Sequence, residues 1–279
     1  MSWLIASLFN HDFFNTLACK ESNEDLKDEE MFMNVTFIEH SGFLVETASS
    51  YFLFDYFKGE IPVLDQEKPL VVFVSHNHRD HYNPMVFDYL EDHPWVHYVL
   101  DKDCGIKWKI RECADRGIDL TAKLTRVRKN QSYELAMPEG KSLHITTYRS
   151  TDAGVAYLLE YDGLRIYHAG DLSHWIWEDK PEEYNQRMAE RYRLEMAKMK
   201  GLSVNLAFVP LDPRLLTDTP VGLEVFLENV WAKKVFPMHF WEKYSVIRRF
   251  VKEHPQYRDN IVLLSRKGEI VTVESEIPK

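Results

Sequence analysis

The segment HNHRDH, residues 76–81, places three histidines and one aspartate directly behind the apolar run LVVFV. Imidazole nitrogens and carboxylate oxygens are the usual ligands of zinc and similar divalent ions. His76 and His78 point the same way on extended backbone, whereas Asp80 and His81 follow where the chain turns. One pair can therefore face one ion and the other pair a second ion nearby, and two such ions can hold a hydroxide between them. A polar strand end with unrelated histidines is the alternative, but this pattern rarely arises by chance.

The elements that must position these side chains are strands from residue 34 onwards, then strands that alternate with helices. LVVFVSH predicts a buried strand, and Asn83 and Pro84 suit the N-cap and first position of the next helix. Further helices are predicted from Asp103 to Gly117 and at 181–200. Asp162-Gly163 suits a type I′ hairpin turn, and NIVLLSRKGEIVTVE predicts a closing hairpin. Two β-rich halves with helices predict two packed sheets with helices on the outer faces.

The composition of the 279 residues predicts a folded domain with an acidic surface. Hydrophobic residues make up 45% of the chain, which excludes disorder for most of it. The formal net charge of −10 argues against nucleic acid as a partner, although a local basic groove stays open. A small-molecule substrate is the partner expected, and a homo-oligomer is left open.

The cysteines and the start of the chain bear on compartment and domain limits. Cys19, Cys104 and Cys113 are too few and too scattered for a disulfide framework, which suits a reducing cytoplasm. The first apolar stretch lacks a basic flank and is too short and interrupted to span a bilayer. An acidic segment follows it, so residues 1–30 are predicted to be a loosely ordered extension and 31–279 a single domain.

The order His-x-His-x-Asp-His after an apolar strand resembles the metallo-β-lactamase superfamily, and the resemblance covers about residues 34–275. It is strongest to the subgroup called metal-dependent hydrolases, in which HAGDL recurs. IYHAGD resembles the family's Gly-Asp motif, which implies that Asp171 bridges two ions. VFPMHF resembles the strand that delivers the last histidine ligand, here His239, and FLFDYF places Asp55 where the family often has an aspartate. The resemblance implies an α+β fold: an αβ/βα sandwich of two mixed sheets with outer helices and the metals at one edge.

One family ligand is missing. The family supplies a further histidine before a segment like GVAYLLE, whereas this chain reads TTYRSTDAGVAYLLE. Asp152 could replace it, His144 could do so from early in the strand, His168 could approach from the neighbouring strand, or the first site could be weak and leave one ion bound. We favour Asp152, although an aspartate in Asp-Ala-Gly also suits a turn. An oxygen ligand would move the metal preference from zinc towards manganese or iron.

Other side chains are candidates for supporting or substrate-binding roles. His168 is expected to donate a hydrogen bond to a ligand carboxylate. Arg149 is either a surface residue of its strand or a contact for an anionic substrate, and Trp175 either forms a pocket wall or packs in the core. His40 is expected in the pocket or behind a ligand. Asp212 and Arg214 are interpreted first as a structural ion pair at a strand end.

These residues together predict a metal-dependent hydrolase with two divalent ions, zinc first and manganese or iron next. The ligands would be His76, His78, Asp80, His81, Asp171 and His239, with Asp152 as the replacement. Asp80 would also orient the hydroxide that attacks an ester, lactone, thioester or phosphodiester bond. The fold does not choose the substrate. The alternative is a non-catalytic metal-binding or sensing scaffold. A di-iron redox branch of the family has a carboxylate at the second ligand, where this chain has His78.

Overall fold

The computed structural model describes residues 32–275, and the extension predicted for residues 1–30 lies outside them. Within the described residues the strands are β1 Phe32–Glu39, β2 Gly42–Glu46, β3 Tyr51–Phe54, β4 Leu70–Val74, β5 Val96–Asp101, β6 Leu124–Val127, β7 Ser132–Ala136, β8 Ser142–Arg149, β9 Val155–Tyr161, β10 Leu164–His168, β11 Ser203–Pro210, β12 Trp231–Met238 and β13 Glu269–Glu274. The α-helices there are α1 Tyr89–Asp92, α2 Lys107–Asp115, α3 Glu182–Lys198, α4 Val221–Asn229 and α5 Ser245–Glu253.

The strands form two mixed sheets. One has the order β13-β1-β2-β3-β4-β5-β6 and the other the order β12-β11-β10-β9-β8-β7. In the first sheet β3, β4, β5 and β6 run parallel, and in the second β10, β11 and β12 run parallel. Because the carboxyl ends of parallel strands meet at one edge of a sheet, the residues that follow these strands are brought together.

The sheets pack face to face through aromatic and branched side chains, as period-two alternation requires. Phe52 and Phe54 on β3 belong to the core between the sheets, whereas Leu53 belongs to the layer under α2. Phe43 on β2 contacts Phe208 on β11 with ring centroids 4.4 Å apart, which joins the two sheets. The predicted α+β sandwich with outer helices is confirmed.

The predictions of a helix cap and of a hairpin turn, which depend only on neighbouring residues, are confirmed. The side chain of Asn83 accepts a hydrogen bond from the Met85 backbone N–H at the start of a short 3₁₀ helix, Pro84–Asp88, which leads into α1. Asp162 and Gly163 both have positive φ, as a type I′ turn needs. No helix among residues 32–275 combines the length and the apolar character that a bilayer crossing needs.

Two element predictions are wrong. The helix predicted from Asp103 begins only at Lys107, because the Asp101 side chain accepts the Asp103 N–H and holds a turn there. The closing hairpin does not form. Ile261 instead bridges to Val235 beside the second sheet, and β13 pairs antiparallel with β1 in the first sheet. The segment from Ile261 to β13 therefore crosses from the second sheet to the first, because Ile261 pairs at the edge of β12 and β13 pairs at the edge of β1.

Candidate metal centre

The candidate site lies at the edge where strands of both sheets end. His40 occupies the turn after β1, Asp55 follows β3, and the HNHRDH segment begins two residues after β4. In the second sheet Asp171, Asp212 and His239 follow β10, β11 and β12. Three of these residues, His40, Asp55 and His239, have positive φ, so the chain turns sharply just where it delivers each side chain.

A tight turn gives the HNHRDH segment its shape. The His81 N–H donates to the carbonyl of His78, so the segment folds back directly after its second histidine. Asn83 then anchors the exit: its N–H donates to the Tyr56 carbonyl and its amide to the Phe57 carbonyl. His76 and His81 become fully buried, whereas His78 stays about half exposed.

Asp171 stands between two sets of ligand atoms. Its Oδ2 lies 3.3 Å from His76 Nε2 and 3.8 Å from His78 Nδ1. Its Oδ1 lies 3.1 Å from His81 Nε2 and 3.5 Å from His239 Nε2. Each oxygen of one buried carboxylate therefore faces a different pair of imidazoles, which is the arrangement of a carboxylate shared by two cations.

The first donor cluster combines His78, Asp152 and Asp171, whose ligand atoms lie close to one another, with His76, whose Nε2 lies 3.3 Å from Asp171 Oδ2. Asp152 Oδ2 lies 3.9 Å from His78 Nδ1. The loop that carries Asp152 is fixed because Ser150 N–H donates to the Gly154 carbonyl and Val155 N–H to the Ser75 carbonyl. The side chain of Asp152 is half exposed, so it can approach an ion or turn away from it.

The second donor cluster consists of His40, Asp80, His81 and His239. Asp80 Oδ2 lies 3.8 Å from His239 Nε2 and 3.4 Å from His40 Nε2. His40 was expected behind the ligands or in the pocket, but its ligand nitrogen lies among those of Asp80, His81 and His239. Burial lowers the pKa of His40 to about 4, so its ring is neutral at pH 7, which is the form that binds metal.

Supporting bonds fix the rings of three buried histidines: His76, His81 and His239. His81 Nδ1–H donates to Asp55 Oδ2 at 2.8 Å, and His239 Nδ1–H donates to Asp212 Oδ2 at 2.8 Å. His76 Nδ1–H donates to the Ser75 hydroxyl at 2.9 Å, and that hydroxyl donates to Asp55 at 2.6 Å. Since every Nδ1 carries its proton in these bonds, each Nε2 keeps its lone pair for a cation.

The donor set fits a metal by its unpaired atoms and its spacing. Among the described residues, buried Nε2 atoms of His40, His76 and His81 and Oδ1 of Asp171 have no hydrogen-bond partner. Buried polar atoms without partners are costly, so their convergence indicates a missing ligand. Atoms bound to one tetrahedral ion at ~2.1 Å lie roughly 3.4 Å apart, and the separations between these clustered atoms are of that size.

Asp171 and Asp80, the two carboxylates that face the histidines, carry negative charge at the centre. Burial would raise the pKa of Asp171, but the neighbouring imidazoles of His81 and His239 keep it well below its usual value. Burial opposes ionisation of Asp80 too, and the neighbouring imidazoles of His40 and His81 lower its pKa. Both groups are therefore carboxylates at neutral pH, the form that a cation binds.

A cavity of about 230 Å³ opens onto both donor clusters. Besides His78, Asp80, Asp152, Asp171 and His239, it is lined by Trp175, Trp177, Tyr184, Met188 and Arg214. Trp175 is buried, donates from Nε1 to the Asp171 carbonyl at 2.7 Å, and packs 5.3 Å from the His239 ring. Trp175 thus lines this cavity and also holds the backbone of Asp171.

The remaining sequence candidates lie away from the ligand atoms. His144 is exposed near the start of β8. The expectation that His168 donates to a ligand carboxylate is wrong: its Nε2 donates to the Ser41 carbonyl and its Nδ1 accepts the Gly170 N–H. His168 is buried and stacks on Phe54, so it supports the floor beneath the site. Arg149 is exposed and lines a neighbouring cavity.

Sequence reasoning missed the supporting carboxylates. Asp55 had been noted only by resemblance, and Asp212 had been interpreted first as the partner of Arg214. Asp212 does bind Arg214, with Nε and Nη2 at 3.0 and 2.5 Å, but the same carboxylate holds His239. An aspartate directly after an apolar strand was the available signal in both cases. Ser75 carried no such signal.

Comparison with known proteins agrees with this geometry. The sequence profile described as the beta-lactamase superfamily domain matches residues 34–186. No curated protein is significantly similar to the chain in sequence.

Several solved structures share the fold. Igni18, a metallo hydrolase from the archaeon Ignicoccus hospitalis, is 16% identical with a TM-score of 0.60, and the match covers 88% of this chain and all of that one. A protein from Parabacteroides distasonis, named for metal-dependent hydrolase activity, is 16% identical with a TM-score of 0.52 over 83% of this chain and 92% of its own. The diiron β-hydroxylase CmlA from Streptomyces venezuelae is 11% identical with a TM-score of 0.51, over 88% of this chain and 54% of its own. With a matching profile over more than half its length and this fold, the chain belongs to the metallo-β-lactamase superfamily.

Proposed function

We propose that the protein is a metal-dependent hydrolase with two adjacent divalent cations and a small-molecule substrate. The observation that carries the proposal is Asp171, whose two oxygens face two separate sets of imidazole nitrogens. His76, His78 and Asp152 would complete the first position, and His40, Asp80, His81 and His239 the second. When bound, such ions make a water molecule acidic enough to act as a nucleophile near neutral pH. Zinc is the first candidate, and the carboxylate-rich donor set leaves manganese and iron open.

The residues of the chain supply orientation and a proton acceptor. Asp55, Ser75 and Asp212 hold the imidazoles so that each Nε2 points into the centre. Asp80 is the carboxylate that is open to the cavity, with about a quarter of its side chain exposed. It is ionised and can accept the proton that an attacking water loses.

The cavity limits the size and character of the group next to the bond that is cleaved. A space of about 230 Å³ accommodates a small acyl or aryl group rather than a polymer. Trp175 and Trp177 are stacked in parallel, 5.9 Å apart, and offer an apolar wall. The bond itself would be an ester, lactone, thioester or phosphodiester, and the metal ligands do not choose among these.

The test combines metal content with hydrolysis. The protein is loaded with zinc, manganese or iron, metal per chain is measured by mass spectrometry, and a panel of esters, lactones, thioesters and phosphodiesters is assayed. We expect about two ions per chain and turnover of at least one class, which His81→Ala should abolish with the fold intact. His144→Ala, which changes an exposed histidine of the same chain, is the matched control and should be silent.

Two outcomes would count against the proposal. Full metal content without turnover of any class would favour the metal-binding scaffold. Turnover that survives in His81→Ala with both ions retained would remove the second donor cluster from the reaction.

A further inference from the structure

A second cavity, of about 310 Å³, adjoins the same loop as the candidate metal centre. Asp152 lines both this cavity and the tryptophan-lined one, and His76 of the first donor cluster also reaches its wall. The ends of β5 and β8, the turn after β6 and the helix α3 surround it. A substrate held at the metal centre would therefore have this space directly beside it.

The cavity gathers positive charge that the described part of the chain does not neutralise. Lys129, Arg149 and Arg191 line it, and each comes from a different element. None of the three has a carboxylate partner within 4 Å among residues 32–275, although the chain as a whole carries a net charge of −10. We call this space the cationic cavity.

The acidic groups of the same cavity are already engaged. Asp103 pairs with Lys102 at 2.6 Å, and Asp152 belongs to the first donor cluster. Asp101 is buried and its side chain accepts the Asp103 N–H. Four cationic and three acidic side chains therefore line the cavity, and three of the cations have no carboxylate partner among the described residues.

Lys129, Arg149 and Arg191 are exposed and line the same cavity, so an anionic group that enters it can reach them. Arginine in particular binds carboxylate and phosphate groups through two parallel hydrogen bonds. We propose that the cationic cavity binds an anionic group of the substrate, a carboxylate or a phosphate, while the bond to be cleaved lies over Asp171. This inference rests on the proposed hydrolase function and adds the substrate class: a small compound with an apolar end and an anionic end.

The loop of residues 150–154, which separates the two cavities, is held in place by hydrogen bonds and close packing. The Asp152 N–H donates to the Ser150 hydroxyl at 3.1 Å, and Thr151 Oγ1 donates to the Ser173 carbonyl at 2.6 Å. Gly154 lies so close to Ser75 that a Cβ there would stand 2.0 Å from the Ser75 carbonyl oxygen. Arg149, at the start of this loop, is thereby held at a fixed distance from His76.

The test measures binding and does not need turnover. The probes are N-phenylsuccinamic acid, whose phenyl group suits the tryptophan-lined cavity and whose carboxylate lies at the other end, and neutral N-phenylbutanamide. Both are titrated calorimetrically into the metal-loaded full chain. We expect the anionic probe to bind about tenfold more tightly, which is ~1.4 kcal/mol, because hydrogen bonds to charged groups are stronger than those between neutral groups. A phosphonate of the same length shows which anion is preferred.

The decisive variant is the double replacement Arg149→Gln with Lys129→Gln, which should abolish the preference and leave the affinity for the neutral probe unchanged. The control is Arg248→Gln with Lys252→Gln, which removes the same charge from the exposed face of α5. A preference that survives in the first variant would mean that the metal ions hold the anion, and it would overturn the inference. So would equal binding of the two probes to the parent protein. Low metal content, by contrast, would count against the hydrolase proposal alone.

Discussion

Asp55 is the residue on which the orientation of two candidate ligands depends. It is 1% exposed and accepts three hydrogen bonds: from Ser75 N–H at 2.7 Å, from the Ser75 hydroxyl at 2.6 Å and from His81 Nδ1–H at 2.8 Å. Through that hydroxyl it also fixes the ring of His76. One buried carboxylate thus selects the tautomer that leaves Nε2 of both histidines free for a cation.

Asp55→Asn changes this selection with almost no change in volume. The remaining oxygen can still accept the Ser75 N–H, but an NH₂ group now faces His81 Nδ1. Two donors cannot pair, so His81 is driven to carry its proton on Nε2, where it blocks metal binding. Loss of a supporting partner of this kind costs 10–100-fold in metal affinity, which is ~1.4–2.7 kcal/mol. We expect that loss, with a smaller change in the free energy of unfolding of the metal-free protein.

Competition with a chromophoric chelator measures the affinity, and urea denaturation measures the stability. Asp101→Asn is the control, because Asp101 is also buried at the end of a strand and accepts a backbone N–H but makes no hydrogen bond to a histidine among the described residues. If Asp55→Asn binds metal as tightly as the parent while Asp101→Asn does the same, the tautomer argument is refuted and Asp55 is only structural.

Three further outcomes are expected. Gly154→Ala should lower the free energy of unfolding by ~1–3 kcal/mol more than Gly163→Ala, because a Cβ at position 154 would collide with Ser75. Gly163 is the matched control, since it also has positive φ but no atom lies within 4 Å of a Cβ there. Equal losses in urea denaturation would contradict the contact. Asp152→Ala should release about one ion per chain and Asp152→His should retain it, as counted by mass spectrometry; two tightly bound ions in the alanine variant would make Asp152 a turn residue only. Burial lowers the pKa of His97 from 6.5 to about 4, so this group stabilises the fold above pH 6.5 and less as the pH falls towards 4. His97→Gln should therefore lose less stability than the parent between pH 7 and pH 5, and parallel pH profiles would disprove this.

Predictions from the sequence succeeded where the signal is local. The HNHRDH turn, the Asn83 cap and the Asp162-Gly163 turn depend on residues within a few positions of one another. The closing hairpin failed because strand pairing is a choice among distant partners. β13 follows β12 in the sequence but pairs with the edge of β1, the first strand of the described chain.

The candidate ligands illustrate the same division. His76, His78, Asp80 and His81 are marked by their own spacing, and Asp171 and His239 by their places at strand ends. Neither its spacing nor a family motif identified His40 as a candidate ligand. Its Nε2 reaches Asp80 only because the β1–β2 turn lies at the same edge as the end of β4.

The sequence by itself determined the kind of chemistry, since histidines and aspartates at strand ends suit cations wherever the strands lie. It also determined the sandwich, since apolar alternation decides which face each strand buries. Only the tertiary structure decided that Asp55 and Asp212 orient the ligands across 26 and 27 residues of chain, and that His168 does not. The physical reason is that a hydrogen bond depends on distance and angle in space, and these are set by how two sheets pack rather than by order along the chain.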